Sequence, residues 1–273
     1  MTEPKGGAPS PTDSAGGGDA SQWETLENAD FRHVNDRESM ARLSEITERF
    51  AARMRYRLTR RWRAHARGRR LDLRDTIHRS LRYGGTPMWL AYRKRRTKPL
   101  KLVVILDASG SMSVYSSFFL RFLRAVVDKF HEADAFVFHT RLVHVGPSLR
   151  ERDMARAIDR LTLMASGWSG GTRIGESLRT FNRNFAAGCL HGRTVVMIVS
   201  DGYDTGPPEV LAEELKSIKK RAKALVWLNP MMGWDGYQPL AKGMRAALPH
   251  LDLFAPAHNI KSLMALEPFL AHL

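Results

Sequence analysis

The sequence is short of cysteine, of long apolar runs, of a nucleotide-binding phosphate loop and, in its most basic segment, of acid. Cys189 is the one cysteine, which excludes an intrachain disulfide and a multi-cysteine zinc cluster and suits a reducing compartment. No apolar stretch approaches the roughly 18–20 residues that a membrane-spanning helix needs. The start, Met1-Thr-Glu-Pro-Lys-Gly-Gly, has no apolar core of the kind a secretory signal carries. The expectation is a soluble, cytoplasmic protein, with the inner membrane surface as a peripheral location its charge would also suit. No Gly-x-x-x-x-Gly-Lys-Ser/Thr run occurs, so any ATP hydrolysis would belong to a partner.

What the chain does have is basic charge, and it is concentrated. The formal net charge is +15, yet residues 51–101 alone hold 18 Lys/Arg against only Asp72 and Asp75. The rest is close to neutral, so the charge belongs to one segment and not to the fold. Three readings stay open for it: a solvated helical face, a contact for an acidic protein surface through residues 53–101, or a nucleic acid or anionic membrane. Trp62, His65 and His78 interleave with the charges, but no recognised nucleic-acid module appears, which makes nucleic acid a less favoured partner. A nucleic-acid protein using the domain as a scaffold is the alternative function; it requires binding that weakens steeply with salt and ignores Asp107.

At 43% apolar residues and 273 in length the chain can build one sizeable α/β core with extensions. Residues 1–22, rich in Gly, Ser, Pro and Ala, read as a disordered tail. Residues 23–98 read as a basic helical extension. Its first helix starts near residue 36, with Asn35 and Glu38 as a capping pair. Met40, Leu43, Ile46, Phe50, Met54 and Leu58 recur on one face, and the helix turns strongly basic past Arg60. Residues 71–83 read as a short helix stopped by Gly84-Gly85, and 88–93 as extended.

Residues 99–273 read as a doubly wound, mostly parallel α/β domain. Leu102-Val-Val-Ile-Leu106 and Thr194-Val-Val-Met-Ile-Val-Ser200 are continuous apolar, β-branched runs, as expected of strands covered on both faces. Helices are expected at 115–131, 151–162, 174–186, 208–221, 239–247 and 259–271. A hairpin is expected at 135–139 and 141–145, and further strands at 223–228 and 250–254. In such folds ligands bind beyond the carboxyl ends of the strands, where strand order reverses.

Asp107 directly follows the first buried strand, and Ser109 and Ser111 lie in the turn that leaves it. Asp201 directly follows the second. Thr172 closes a Gly/Ser-rich loop and opens a helix. These segments should converge on one end of the sheet, gathering two carboxylates and three hydroxyls. Hard oxygen donors without thiolate or imidazole suit Mg²⁺ or another divalent cation. They also leave a coordination position that a carboxylate of another molecule could fill, which is docking chemistry and not hydrolysis. A lone Asp-x-Ser-x-Ser is often only a polar turn, but Thr172 and Asp201 in this order favour the metal.

Competing motifs are weaker. Gly167-Trp-Ser169-Gly-Gly171 matches a hydrolase nucleophile elbow but lacks the strand that must precede it. The glycines more naturally let the backbone approach an ion. Asp107 as a phosphatase nucleophile would want a second Asp two residues on, where Ser109 stands. Asp204, three residues past Asp201, could approach the site, though a residue so placed is more often only part of a turn. Trp168 and Trp234 fall in loops, as contacts near the metal or as caps on the core, and His258 and Cys189 as packed or solvent-facing.

Taken together, these motifs resemble the von Willebrand factor A (VWA) family and its metal-ion-dependent adhesion site. The surroundings resemble its CoxE-like branch: Leu71-Asp72-Leu-Arg74 with Gly84-Gly85, Arg93-Lys-Arg-Arg96, Leu106-Asp107-Ala-Ser109-Gly-Ser111-Met112, Ser200-Asp201-Gly202-Tyr-Asp204, Val226-Trp227-Leu228-Asn229-Pro230, and Gly243-Met244 followed by Ala-Ala-Leu-Pro-His-Leu-Asp252. The likeness runs from about residue 40 to the C-terminus. It implies that Ser109, Ser111 and Thr172 bind the ion through hydroxyls, and that Asp107 and Asp201 bind it directly or through water. It also implies a non-enzymatic accessory protein, acting with a MoxR-type AAA+ ATPase as a chaperone-like machine. The client would be a metalloenzyme, a molybdenum hydroxylase such as carbon monoxide dehydrogenase.

Overall fold

The computed structural model describes residues 25–34, 36–59, 62–64, 68, 70–95, 100–130, 132–150 and 171–272. Asp30 caps a single 3-10 turn, Phe31–His33, and Phe31 stacks on Phe118 with ring centroids 3.5 Å apart. Helix α1 (Arg37–Thr59) follows. Asn35 lies outside the described residues; Asp36 holds the helix start, its carboxylate accepting from Ser39 N at 2.7 Å. The expected apolar face is inside: Leu43, Ile46, Phe50 and Met54 are buried and Met40 packs against them.

The extension is not wholly helical. α1 stops at Thr59, and a small antiparallel sheet forms from β1 (Trp62–Ala64), β2 (Arg70–Leu71) and β3 (Tyr92–Arg95), in the order β1-β3-β2. Between β2 and β3, helix α2 (Leu73–Ser80) is capped by Asp72, runs on as a 3-10 turn Leu81–Tyr83, and ends at Gly84 with φ of 67°.

The domain then alternates. In chain order it runs β4 (Lys101–Asp107), α3 (Ser113–Lys129), β5 (Ala133–Phe138), β6 (Leu142–His144), α4 (Gly146–Leu149), α5 (Ile174–Asn184), α6 (Ala186–Cys189) and β7 (Thr194–Val199). It continues with α7 (Pro208–Arg221), β8 (Ala224–Asn229), α8 (Lys242–Ala247), β9 (Leu253–Pro256), α9 (Ile260–Met264) and α10 (Glu267–His272). Among the described residues six strands form the central sheet, in the order β6-β5-β4-β7-β8-β9, with β6 alone antiparallel. This is the doubly wound α/β architecture, and the hairpin lies at its edge as expected. The helix expected at 151–162 and most of the loop after it, with Trp168 and Ser169, lie outside the described residues. The helix expected at 259–271 is two pieces: Pro268 lacks an N–H and is tolerated only in the first turn of a new helix.

Alternation along β4 divides the core. Leu102, Val104 and Leu106 face α1, α3 and α9; Val103 and Ile105 face α5, α7 and α8. β4 pairs with β5 on one side and with β7 on the other, so strand order reverses there. The crevice of the fold therefore opens beyond the carboxyl ends of β4 and β7.

Candidate metal centre

Asp107 ends β4 and is fully buried. Its Oδ1 accepts from Ser109 N at 2.9 Å and its Oδ2 from Ser200 Oγ at 2.6 Å. Ser109 precedes a 3-10 turn, Gly110–Met112, that it does not cap with its side chain. Its hydroxyl instead meets Ser111 Oγ at 3.1 Å. Buried Asp201 lies two residues past β7, its Oδ1 accepting from Tyr203 N at 3.0 Å. Its Oδ2 is buried and has no hydrogen-bond partner among the described residues.

Thr172 reaches the same end of the sheet. Its carbonyl accepts from Thr205 N at 2.9 Å and Thr205 Oγ1 at 2.8 Å. The next residue, Arg173, donates its N–H to His139 O at 3.0 Å. Thr205 follows β7 and His139 follows β5, so Thr172 is held across the end of the strand between them, where Asp107 stands. A Cβ on Gly171 would lie 2.4 Å from Thr205 Cγ2, so only glycine allows this approach.

The donor set fits a divalent cation. Burial, with the charge of Asp201 second, raises Asp107 from 3.8 to about 7. Two buried carboxylates that repel one another, one with an orphaned oxygen, are costly without a cation. Among the described residues no three His, Cys, Asp or Glu side chains gather as a metal site, so Ser109, Ser111 and Thr172 would have to complete the set. Without metal, folded Asp107 holds its proton more tightly than it does unfolded. The stability this lends is full below about pH 4 and is lost as the pH rises through about 7. A metal must displace that proton, so affinity should rise about tenfold per pH unit up to about pH 7 and then level off. Mn²⁺ titrations across that range check this; affinity independent of pH would exclude Asp107 as a ligand.

The family described as VWA domain containing CoxE-like protein matches residues 42–263. The chain belongs to this CoxE-like VWA family. No curated protein sequence matches it. Among solved structures it is similar to BatB of Bacteroides thetaiotaomicron, at 18% identity and TM-score 0.43 over 63% of this chain and 98% of that one. It is similar to an aerotolerance-related membrane protein of Bacteroides fragilis, at 16% identity and TM-score 0.42 over 63% and 98%. It is also similar to proximal thread matrix protein 1 of the mussel byssus with a zinc-occupied MIDAS motif, at 15% identity and TM-score 0.42 over 63% and 47%.

Several further residues of this VWA domain, which lie in the quoted motifs but were given no role there, support the site. Ser200 orients Asp107, and Trp227 Nε1 donates to Ser200 O at 2.8 Å. Asn229 Nδ2 donates to Asp201 O at 3.1 Å. Asp204 is more than a turn residue. Its two carboxylate oxygens accept from Ile174 N and Gly175 N, each at 3.0 Å, which caps α5 and ties the Thr172 segment to the Asp201 loop. Asp204→Ala should cost about 1–2 kcal/mol, as caps do, and weaken metal binding because Thr172 loses its anchor. Thermal unfolding and Mn²⁺ titration of the variant check both effects.

Trp234, in the loop after β8, is 40% exposed and donates its Nε1 to Tyr115 OH at 2.8 Å, while the Arg32 guanidinium lies 4.9 Å from its ring centre. Tyr115 begins α3, just past Ser111, so Trp234 is an exposed aromatic at the metal end of the domain. Cys189 is buried, which pushes its thiol up to about 12 and leaves it unreactive. Among the described residues no helix is long and apolar enough to cross a membrane.

Proposed function

We propose that this CoxE-like protein is a non-enzymatic docking subunit. It would hold Mg²⁺, or another divalent cation, with Asp107, Ser109, Ser111, Thr172 and Asp201, and present it to a carboxylate of a partner. The single observation that carries this reading is the buried Asp201 Oδ2, without a hydrogen-bond partner among the described residues, beside a carboxylate, Asp107, that burial drives toward protonation. The ion supplies a Lewis-acidic position open to an incoming oxygen ligand. The chain's own residues do the rest. Ser200 and the Ser109 amide hold Asp107, Asp204 holds the Thr172 segment, and Asn229 holds the carbonyl of Asp201.

The partners we propose, on the resemblance to the CoxE-like branch alone, are a MoxR-type AAA+ ATPase and a client metalloenzyme such as the molybdenum hydroxylase carbon monoxide dehydrogenase during its maturation. With no phosphate loop in this chain, the ATPase would supply the energy and the VWA domain the grip. The test is co-purification of the full chain with a MoxR-type ATPase and with hydroxylase subunits, in Mg²⁺ and in chelator. Capture in Mg²⁺ that chelator abolishes is the expected result; equal capture in both removes the metal from the mechanism.

A further inference from the structure

We propose that α2 and the segment after it form a second docking face, for an acidic amphipathic helix of a partner protein, working without the metal. Among the described residues twelve large hydrophobic side chains are exposed, and seven of them fall between residues 73 and 90. Leu73, Ile77 and Leu81 are 63%, 61% and 66% exposed, and Trp89 is 70% exposed. The first three recur every fourth residue, so they form one row about 12 Å long. A helix of a self-contained domain turns such a row inward. Here it is turned outward.

Hydrogen bonds fix that orientation. The adjoining row, Thr76 and Ser80, is the one that is buried. Thr76 Oγ1 accepts from Ala91 N at 2.9 Å, and Asp72 N donates to Ala91 O at 2.7 Å. Ser80 Oγ donates to Thr76 O at 2.7 Å, and Gly85 N to Ser80 O at 2.9 Å. Rolling the apolar row inward would break the bonds to Ala91, so the protein holds a solvated apolar stripe in place. An exposed patch of this kind marks an interaction site.

Charge selects the occupant. Arg70, Arg74 and Arg82 are exposed around the row, within a segment of 15 Arg and 3 Lys against two Asp. Arginine in place of lysine, together with Trp, Tyr and Met, is the composition of protein interfaces, because a guanidinium grips carboxylates in pairs. A helix carrying leucines on one face and glutamates at its flanks complements both features.

The test uses the full chain and a fluorescein-labelled helical peptide of Glu and Leu, with leucines spaced every four residues, read by anisotropy. The expected result is salt-sensitive binding that falls at least about tenfold in the triple variant Leu73→Ser, Ile77→Ser, Leu81→Ser. All three side chains are exposed, so the variant should unfold no earlier than the unaltered chain. Chelator and Asp107→Asn, which bear on the metal reading, should leave this binding unchanged. Equal binding by the triple variant, equal binding of a peptide with the same residues in scrambled order, or loss of binding in chelator overturns the proposal. Binding to phosphatidylglycerol vesicles but not to the peptide also overturns it and makes the face a membrane contact.

Discussion

Asp107→Asn should bind Mn²⁺ or Mg²⁺ about 100-fold more weakly than the unaltered chain, a loss of about 2.7 kcal/mol, and should unfold at the same temperature or higher. The two effects have one cause. Asp107 is fully buried and close enough to Asp201 to feel its charge. In the metal-free protein that charge is a burden, carried because a cation neutralises it. An amide of the same shape keeps an oxygen for the Ser109 N–H and can donate to Ser200 Oγ, so the packing survives. It cannot supply the negative charge that draws a cation out of water. Isothermal titration and thermal unfolding in chelator separate the effects. Lower stability together with intact metal binding would give Asp107 a structural role.

Gly243→Ala should be strongly destabilising. Its Cβ would lie 2.5 Å from the backbone oxygen of Gly202 and 3.1 Å from Asp204 Cβ. Neither neighbour is the flexible end of a side chain. Gly202 itself has φ of 81°, and a Cβ there would fall 2.2 Å from Met244 Sδ. The start of α8 and the turn carrying Asp201 thus touch backbone to backbone. Overpacking of this kind costs about 1–3 kcal/mol, or about 2–4 °C of melting temperature per kcal/mol in a domain this size. The displaced turn also carries Asp201 and Asp204, so metal affinity should fall with stability. Gly188→Ala is the control. It lies in α6 with nothing within 4 Å of its Cβ and should be neutral or slightly stabilising. Equal melting temperatures for the two variants would refute the close contact.

The central sheet was legible because continuous apolar, β-branched runs leave few alternatives. The strands at 102–106 and 194–200, the helix at 208–221 and the edge hairpin all appear where periodicity puts them. Position after a strand was enough to place Asp107 and Asp201, since the end of a parallel strand is a fixed place in the fold. What holds them was not legible. Ser200 reaches Asp107 across 93 residues of sequence, and Asp204 reaches Ile174 across 30. Such pairs follow from strand order, which no local pattern carries. The three-stranded sheet was missed because its strands are two to four residues long and rich in Arg, without alternation. α2 shows the converse limit. The spacing of Leu73, Ile77 and Leu81 gives a helical face, but direction depends on what Thr76 and Ser80 bind.

The central claim is that this crevice holds one divalent cation and offers it to a carboxylate. Electron paramagnetic resonance of Mn²⁺ added to the chelator-stripped full chain near neutral pH tests it most directly. One bound ion per chain is expected, lost in Asp107→Asn and in Asp201→Asn, with a spectrum that changes when a glutamate-containing peptide is added. No binding at millimolar Mn²⁺, or binding that both substitutions leave intact, would contradict it.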